Sequence, residues 1–206
     1  MAVINGIDIS RYQKKVDFNL VTTDQKQIKF CFIKATQGLS YEDPRFKRNW
    51  REVQNTDLLY GAYHFFSNKS GKKQAEHFLK VVGHKAGALQ PALDLEKKVS
   101  KKQQAKFIDR ARKFVETIDK ELGRKPFIYT ARGFWDMYGN PDFSDCPLWV
   151  ANFTKKSTPK LPKSKWKTYT IWQFSDKGNV LGIGKNPVDL DRFNGDIDLL
   201  RKFQLP

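Results

Sequence analysis

Short apolar runs alternate with amphipathic stretches along nearly the whole of this 206-residue chain. The runs at Val3–Ile9, Phe30–Thr36, Tyr60–Phe66, Ala92–Glu96, Pro126–Thr130, Leu148–Asn152, Tyr169–Phe174 and Val188–Phe193 predict about eight strands. Helical periodicity is clearest at Pro44–Val53, Lys72–Val82 and Lys101–Leu122. In the last of these, Phe107, Ala111, Phe114, Ile118 and Leu122 recur at spacings of three and four and make one apolar stripe. Ser100 with Gln103 has the form of a capping box, and Gly123 followed by Pro126 supplies the stop.

Strand–helix alternation through the first two thirds predicts parallel βα units, and eight strands in one domain predict a closed barrel. The last third departs from that pattern. A Lys/Pro/Ser/Thr loop separates Asn152 from Tyr169, and the short strands beyond it are joined by turns such as Ser175-Asp-Lys-Gly-Asn179. The expectation is an α/β fold, an irregular (β/α)8-like barrel with reduced helices in its C-terminal third. Residues 1–206 read as a single domain, with no internal repeat, linker or low-complexity segment.

Composition narrows the class. A hydrophobic content of 39%, with five Trp and sixteen Phe, argues against disorder. No apolar run approaches the roughly 20 residues that span a membrane. The start, Met1-Ala-Val-Ile-Asn-Gly-Ile-Asp8, reads as a strand and not as a signal peptide, so the chain is either leaderless or trimmed of its export signal. Cys31 and Cys146 make neither a disulfide framework nor a zinc pattern, and two free, mostly buried thiols are expected. Three His without ligand spacing give no metal site, and no cofactor is expected. The charge is the second global clue: 38 basic against 22 acidic side chains, net +16. A basic surface of that kind associates with polyanions, whether nucleic acid, anionic membrane or acidic wall polymer.

The chemistry gathers in acids at strand ends. In Pro91-Ala-Leu-Asp-Leu-Glu96, an extended backbone sends Asp94 and Glu96 to one face and both leucines to the other. Residues i and i+2 of a strand lie about 6.6 Å apart at Cα, so the carboxyls crowd each other, and repulsion with burial keeps one protonated. An acid beside a carboxylate serves glycoside hydrolysis, which takes a proton at the leaving oxygen and negative charge at an oxocarbenium-like centre. Alone, Asp-x-Glu is more often a solvated strand end. Asp8 ends the first strand and Asp189 lies in the last, and a barrel that closes first strand on last makes them neighbours. Four acids at one barrel mouth are harder to explain as caps. Tyr63, Tyr129, Trp149 and Trp172 share those strand ends and are candidates to stack on sugar rings, whereas Phe65, Phe174 and His64 read as core.

Six segments carry a resemblance: Gly6-Ile-Asp-Ile-Ser-Arg-Tyr-Gln13, Phe32-Ile-Lys-Ala-Thr-Gln-Gly38, Tyr60-Gly-Ala-Tyr-His-Phe65, Pro91–Glu96, Ile171-Trp-Gln-Phe174 and Val188-Asp-Leu-Asp-Arg-Phe193. Together and in this order they resemble glycoside hydrolase family 25, the Chalaropsis-type lysozymes, over essentially the whole chain. The resemblance implies a flattened barrel with an acidic groove, and N-acetylmuramidase action on the β-1,4 bond between N-acetylmuramic acid and N-acetylglucosamine in peptidoglycan. It implies Glu96 as general acid, with Asp94 at the substrate 2-acetamido group and Asp8 and Asp189 positioning water and substrate. It adds Gln173 and Gln37 to the substrate-binding set. One departure stands out: the family usually has Glu where this chain has Gln37. Expected partners are peptidoglycan glycan strands and the anionic bacterial wall, met outside the cytoplasm by a monomer.

Two other classes compete. Gln37 motivates a non-catalytic glycan-binding module on the same barrel, against which the four acids stand. The charge motivates a nucleic-acid-binding protein, but the chain shows no recognisable nucleic-acid motif, and a groove lined with carboxylates repels phosphate.

Overall fold

Alternate residues of each apolar run face opposite sides of the chain, and both sides are buried in the structure, a computed structural model that describes residues 3–206. The strands are β1 (Ile4–Ile9), β2 (Ile28–Gln37), β3 (Tyr41–Glu42), β4 (Leu59–Phe65), β5 (Leu89–Asp94), β6 (Phe127–Ala131), β7 (Leu148–Ala151), β8 (Ile171–Gly178) and β9 (Val188–Phe193). They pair in the order β1-β9-β8-β7-β6-β5-β4-β2, and pairing of β1 with β2 closes the ring into an eight-stranded barrel. The two-residue β3 is an appendage on β2.

Every pairing in the barrel is parallel except the two made by the last strand. β9 is antiparallel to both β1 and β8. It therefore presents its N-terminal end, Val188 and Asp189, at the mouth where the other strands present their C-terminal ends.

The helices are α1 (Phe18–Thr22), α2 (Phe46–Val53), α3 (Gly71–Val82), α4 (Gln104–Leu122), α5 (Arg132–Met137) and α6 (Ile197–Arg201). Only α3 and α4 reach three turns, and none lies between β7 and β8, as the loop composition there predicts. The stripe of Phe107, Ala111, Phe114, Ile118 and Leu122 is buried against the barrel, and Gly123 ends α4 in the left-handed conformation at φ 64°.

Two apolar layers result. Ile7, Ile9, Cys31, Ile33, Leu93 and Leu95 point outward to the helices. Phe30, Phe32, Ala92, Phe127, Trp149, Ile171 and Phe193 point inward and fill the barrel, and Leu200 of α6 belongs to the same inner cluster. Two glycines make room for this filling. A Cβ on Gly6 would meet the Phe30 ring at 2.3 Å, and one on Gly61 would meet Phe32 at 2.5 Å. Cys31 and Cys146 are free and buried.

Two local expectations need correction. The capping box read at Ser100 and Gln103 does not form. Gln103 N–H bonds the Ser100 carbonyl in a 3-10 turn, and the Ser100 hydroxyl reaches only the Gln103 side chain, at 3.2 Å. A capping box does form at Ser10 and Gln13, where Ser10 N–H donates to Gln13 Oε1 at 2.9 Å. Lastly, Ser175-Asp-Lys-Gly178 is not a turn: two register shifts let β8 continue through it while paired to β9.

Candidate active site

The inward-facing column of each strand is apolar at the bottom of the barrel and turns polar at its upper end. On β1 it runs Gly6 then Asp8, on β5 Ala92 then Asp94, on β6 Phe127 then Tyr129, and on β8 Ile171 then Gln173. A cavity of about 290 Å³ opens there, lined by Asp8, Tyr63, Asp94, Glu96, Tyr129, Trp149, Phe153, Gln173, Asp176 and Asp189.

Sheet register sets the placement of the acids. Asp8 and Asp189 are directly paired across β1 and β9. β5 lies four strands from β9 in either direction around the ring, so Asp94 stands across the mouth from Asp189. The strand ends at Asp94, but Leu95 N–H still bonds the Tyr129 carbonyl at 2.9 Å, which holds the extended geometry that brings Glu96 to the same cavity.

Hydrogen bonds fix the floor. Tyr129 donates to Gln173 Oε1 at 2.9 Å, and Gln173 Nε2 donates to Asp8 Oδ2 at 2.7 Å. Trp149 Nε1 donates to Asp191 Oδ1 at 2.9 Å, while Asp191 Oδ2 and Asp94 Oδ1 are buried without a partner. Asp191 is a fifth acid that the sequence reading passed over. It is 0% exposed and inward-facing, two residues beyond Asp189 on the same face.

Removal from water and mutual repulsion raise the carboxyls. Burial pushes Asp8 well above the usual carboxylate range, the charges of Asp189 and Asp191 add to this, and the Gln173 bond opposes it. Burial raises Asp94 likewise, with Glu96 adding and the Lys34 ammonium opposing. Glu96 is an exposed residue, yet partial burial of its carboxyl still raises it against the pull of Lys34. Asp189 is pushed up to about 6, by burial first and then by Asp176. Burial raises Asp191 as well, against the bond from Trp149. The site is thus a cluster of carboxyls with raised pKa values inside a protein of net charge +16. Among the described residues no group of His, Cys, Asp and Glu is arranged to hold a metal.

The residues singled out from the sequence divide in two. Asp8, Asp94, Glu96, Asp189, Tyr63, Tyr129, Trp149 and Gln173 come together around the cavity. Trp172 does not. It faces the outer layer, buried, with its indole N–H donating to the Asn152 carbonyl at 2.8 Å, because its neighbours Ile171 and Gln173 take the inward positions. Gln37 lies outside this cavity too, in an adjoining groove. Phe153 and Asp176 were missed. Phe153, 53% exposed at the rim, sits on a loop without periodicity, and Asp176 was hidden in a segment read as a turn. His64 is a satisfied core residue: stacked on Phe114, bonded to Thr36 and Gln74, and pushed down by burial to about 3.

Comparison with known proteins adds an independent line. The sequence profile described as glycosyl hydrolases family 25 matches residues 7–183. The chain is 36% identical over 206 residues to the uncharacterized protein YegX of Escherichia coli K12, covering 97% of this chain and 73% of that one. It is 30% identical to an N,O-diacetylmuramidase of Chalaropsis sp., covering 97% and 98%. The family GH25 lysozyme from Aspergillus fumigatus superposes with a TM-score of 0.87 at 33% identity, over all of both chains.

Proposed function

Because the chain belongs to glycosyl hydrolases family 25 and is a glycoside hydrolase, we propose that it is a muramidase, cleaving the β-1,4 bond from N-acetylmuramic acid to N-acetylglucosamine in peptidoglycan. The observation that carries this is the raised carboxyl of Glu96 at the exposed edge of a cavity whose deeper wall is Asp94. An acid that keeps its proton while remaining open to solvent can hand that proton to a leaving glycosidic oxygen. The same group, once deprotonated, accepts the proton of the incoming water.

Asp94 and Glu96 rise from one strand end, so both address the same side of the scissile bond. That favours attack by the substrate's own 2-acetamido oxygen at the anomeric carbon, with Asp94 holding the acetamido N–H and balancing the positive charge of the oxazolinium. Water then opens that ring, with overall retention of configuration. Asp8 and Asp189 fix the position of the sugar and of the water, while Tyr63, Tyr129, Trp149 and Phe153 offer ring faces to it. A second route rests on Asp189, which faces Asp94 across the mouth and is pushed up to about 6. There it would activate water on the opposite face and invert the product.

The protein would work as a single catalytic domain and a monomer on the wall outside the cytoplasm. Its basic surface adsorbs to the anionic polymer, and its acid-lined cavity discriminates against nucleic acid. No described helix is long and apolar enough to cross a membrane.

The test is reducing-end release from purified peptidoglycan, with the product anomer followed by NMR. Wild type should release muramic acid reducing ends, and Glu96→Gln should be slower by roughly 100- to 10,000-fold with its fold unchanged. Wild-type protein that binds the wall and releases nothing would make it a glycan-binding module instead.

A further inference from the structure

A second concavity, of about 270 Å³, adjoins the acidic cavity and carries the opposite chemistry. Its wall includes Arg11, Tyr12, Lys34, Gln37, Tyr41 and Asp43. Lys34 ties the two together, since its ammonium acts on both Asp94 and Glu96 while lining the groove. The strand register agrees: Gln37 is level with Phe65, and Phe65 with Asp94.

Two cations face this groove without a carboxylate partner among the described residues. The Arg11 guanidinium lies 5.2 Å from the centre of the Tyr12 ring and 5.8 Å from that of Tyr41, which hold it in place without neutralising it. The Lys34 ammonium sits 4.6 Å over the Phe65 ring and donates to Gln37 Oε1 at 2.9 Å. Asp43 is the one acid of the wall. Its oxygens are taken by the backbone N–H groups of Arg11, at 3.0 Å, and Arg45, at 2.9 Å. The groove keeps a net positive charge.

Gln37 is what preserves it. A glutamate at this position, 2.9 Å from the Lys34 ammonium, would form an ion pair and cancel one of the two cations. The neutral amide accepts the same hydrogen bond and leaves the charge available.

We propose that this groove is a subsite for an anionic branch of the glycan: the carboxylate-bearing peptide carried by the muramic acid unit, held by Arg11 and Lys34. The assignment rests on peptidoglycan being the substrate. A peptide carboxylate meets no cation among the residues that line the cavity with Asp8, Asp94, Glu96 and Asp189, so the branch is disfavoured in the place where the sugar ring goes. The adjoining groove receives it and thereby orients the ring over the acids. Arg11, Lys34 and Gln37 then select for peptide-bearing over naked glycan.

The experiment separates the subsite from the activity. Glu96→Gln protein is titrated calorimetrically with a soluble tetrasaccharide of two disaccharide repeats, with and without its stem peptides. The peptide-bearing ligand should bind roughly tenfold more tightly. Adding Arg11→Ala should shrink that difference to below about twofold while leaving the peptide-free affinity in place. Equal affinity for the two ligands overturns the proposal, and so does equal weakening of both by Arg11→Ala, which would mark a plain sugar subsite. In parallel, wild type is assayed on both glycans. Release from neither removes the muramidase reading, whereas cleavage of both with a peptide preference that Arg11→Ala leaves unchanged removes the subsite alone. Thermal melts of the exposed Arg11→Ala variant check that its fold is intact.

Discussion

Gln173 Nε2 donates to Asp8 Oδ2 at 2.7 Å, joining residues 165 positions apart in the chain, and Tyr129 fixes the amide by donating to its Oε1 at 2.9 Å. The bond lowers the Asp8 carboxyl against burial and three neighbouring acids. Gln173 is therefore a positioning residue as much as part of the lining. Gln173→Leu should raise Asp8 further and leave it protonated to higher pH. The acidic limb of the rate–pH profile should move upward, with kcat falling on the order of tenfold or more. A profile that keeps its shape while only KM rises would restrict Gln173 to substrate contact.

Lys34 acts in the same direction on the opposite side of the mouth. Its ammonium lowers both Asp94 and Glu96. Activity that depends on a protonated Glu96 is lost as pH rises through the Glu96 pKa. Lys34→Met should therefore push the alkaline limb to higher pH. Rate profiles measured on peptide-free glycan check this, and an alkaline limb that stays put or moves down would contradict it.

Asp191 costs stability once it is charged. Its folded pKa is raised above the unfolded value, so the folded state binds the extra proton; stability is full below the unfolded pKa and is lost as pH rises through the folded one. Asp191→Asn keeps an acceptor for Trp149 and removes that loss. The variant should melt higher than wild type near neutral pH, by roughly 2–4 °C for each kcal/mol gained, and the advantage should vanish near pH 4. Melting curves at the two pH values decide it.

Gly61 limits the packing of the barrel interior. An added Cβ would lie 2.5 Å from the Phe32 ring, which is itself wedged between Phe127 and Trp149. Gly61→Ala should destabilise the protein by about 1–3 kcal/mol, measured by urea denaturation. The companion change Phe32→Leu, which vacates the contact, should recover part of the loss, and additive losses from the two would sink the overpacking explanation.

The sequence by itself determined what repeats locally. Short apolar runs gave the strands, the Phe107-to-Leu122 stripe gave the long helix, and alternation of the two gave a barrel with few helices near its end. The acids were legible because a strand fixes which neighbours share a face, and Asp94 and Glu96 needed no more than that. The meeting of Asp8 and Asp189 was also legible, since closing a ring brings its first and last strands together.

Tertiary structure decided everything that depends on direction and register. The sequence of β9 does not say that it runs backwards, yet that reversal is why the start of the strand carries Asp189 to the mouth. Trp172 and Gln173 are adjacent in the chain, and a single-residue offset in register sends one to the outer layer and the other to Asp8. Phe153 and Asp176 reach the cavity from an aperiodic loop and from a strand interrupted by register shifts, where no local pattern marks a face. Patterning fixes which side of an element is buried through short-range geometry. Which elements then face one another is set by contacts between residues far apart in the chain, and those exist only once the barrel has closed.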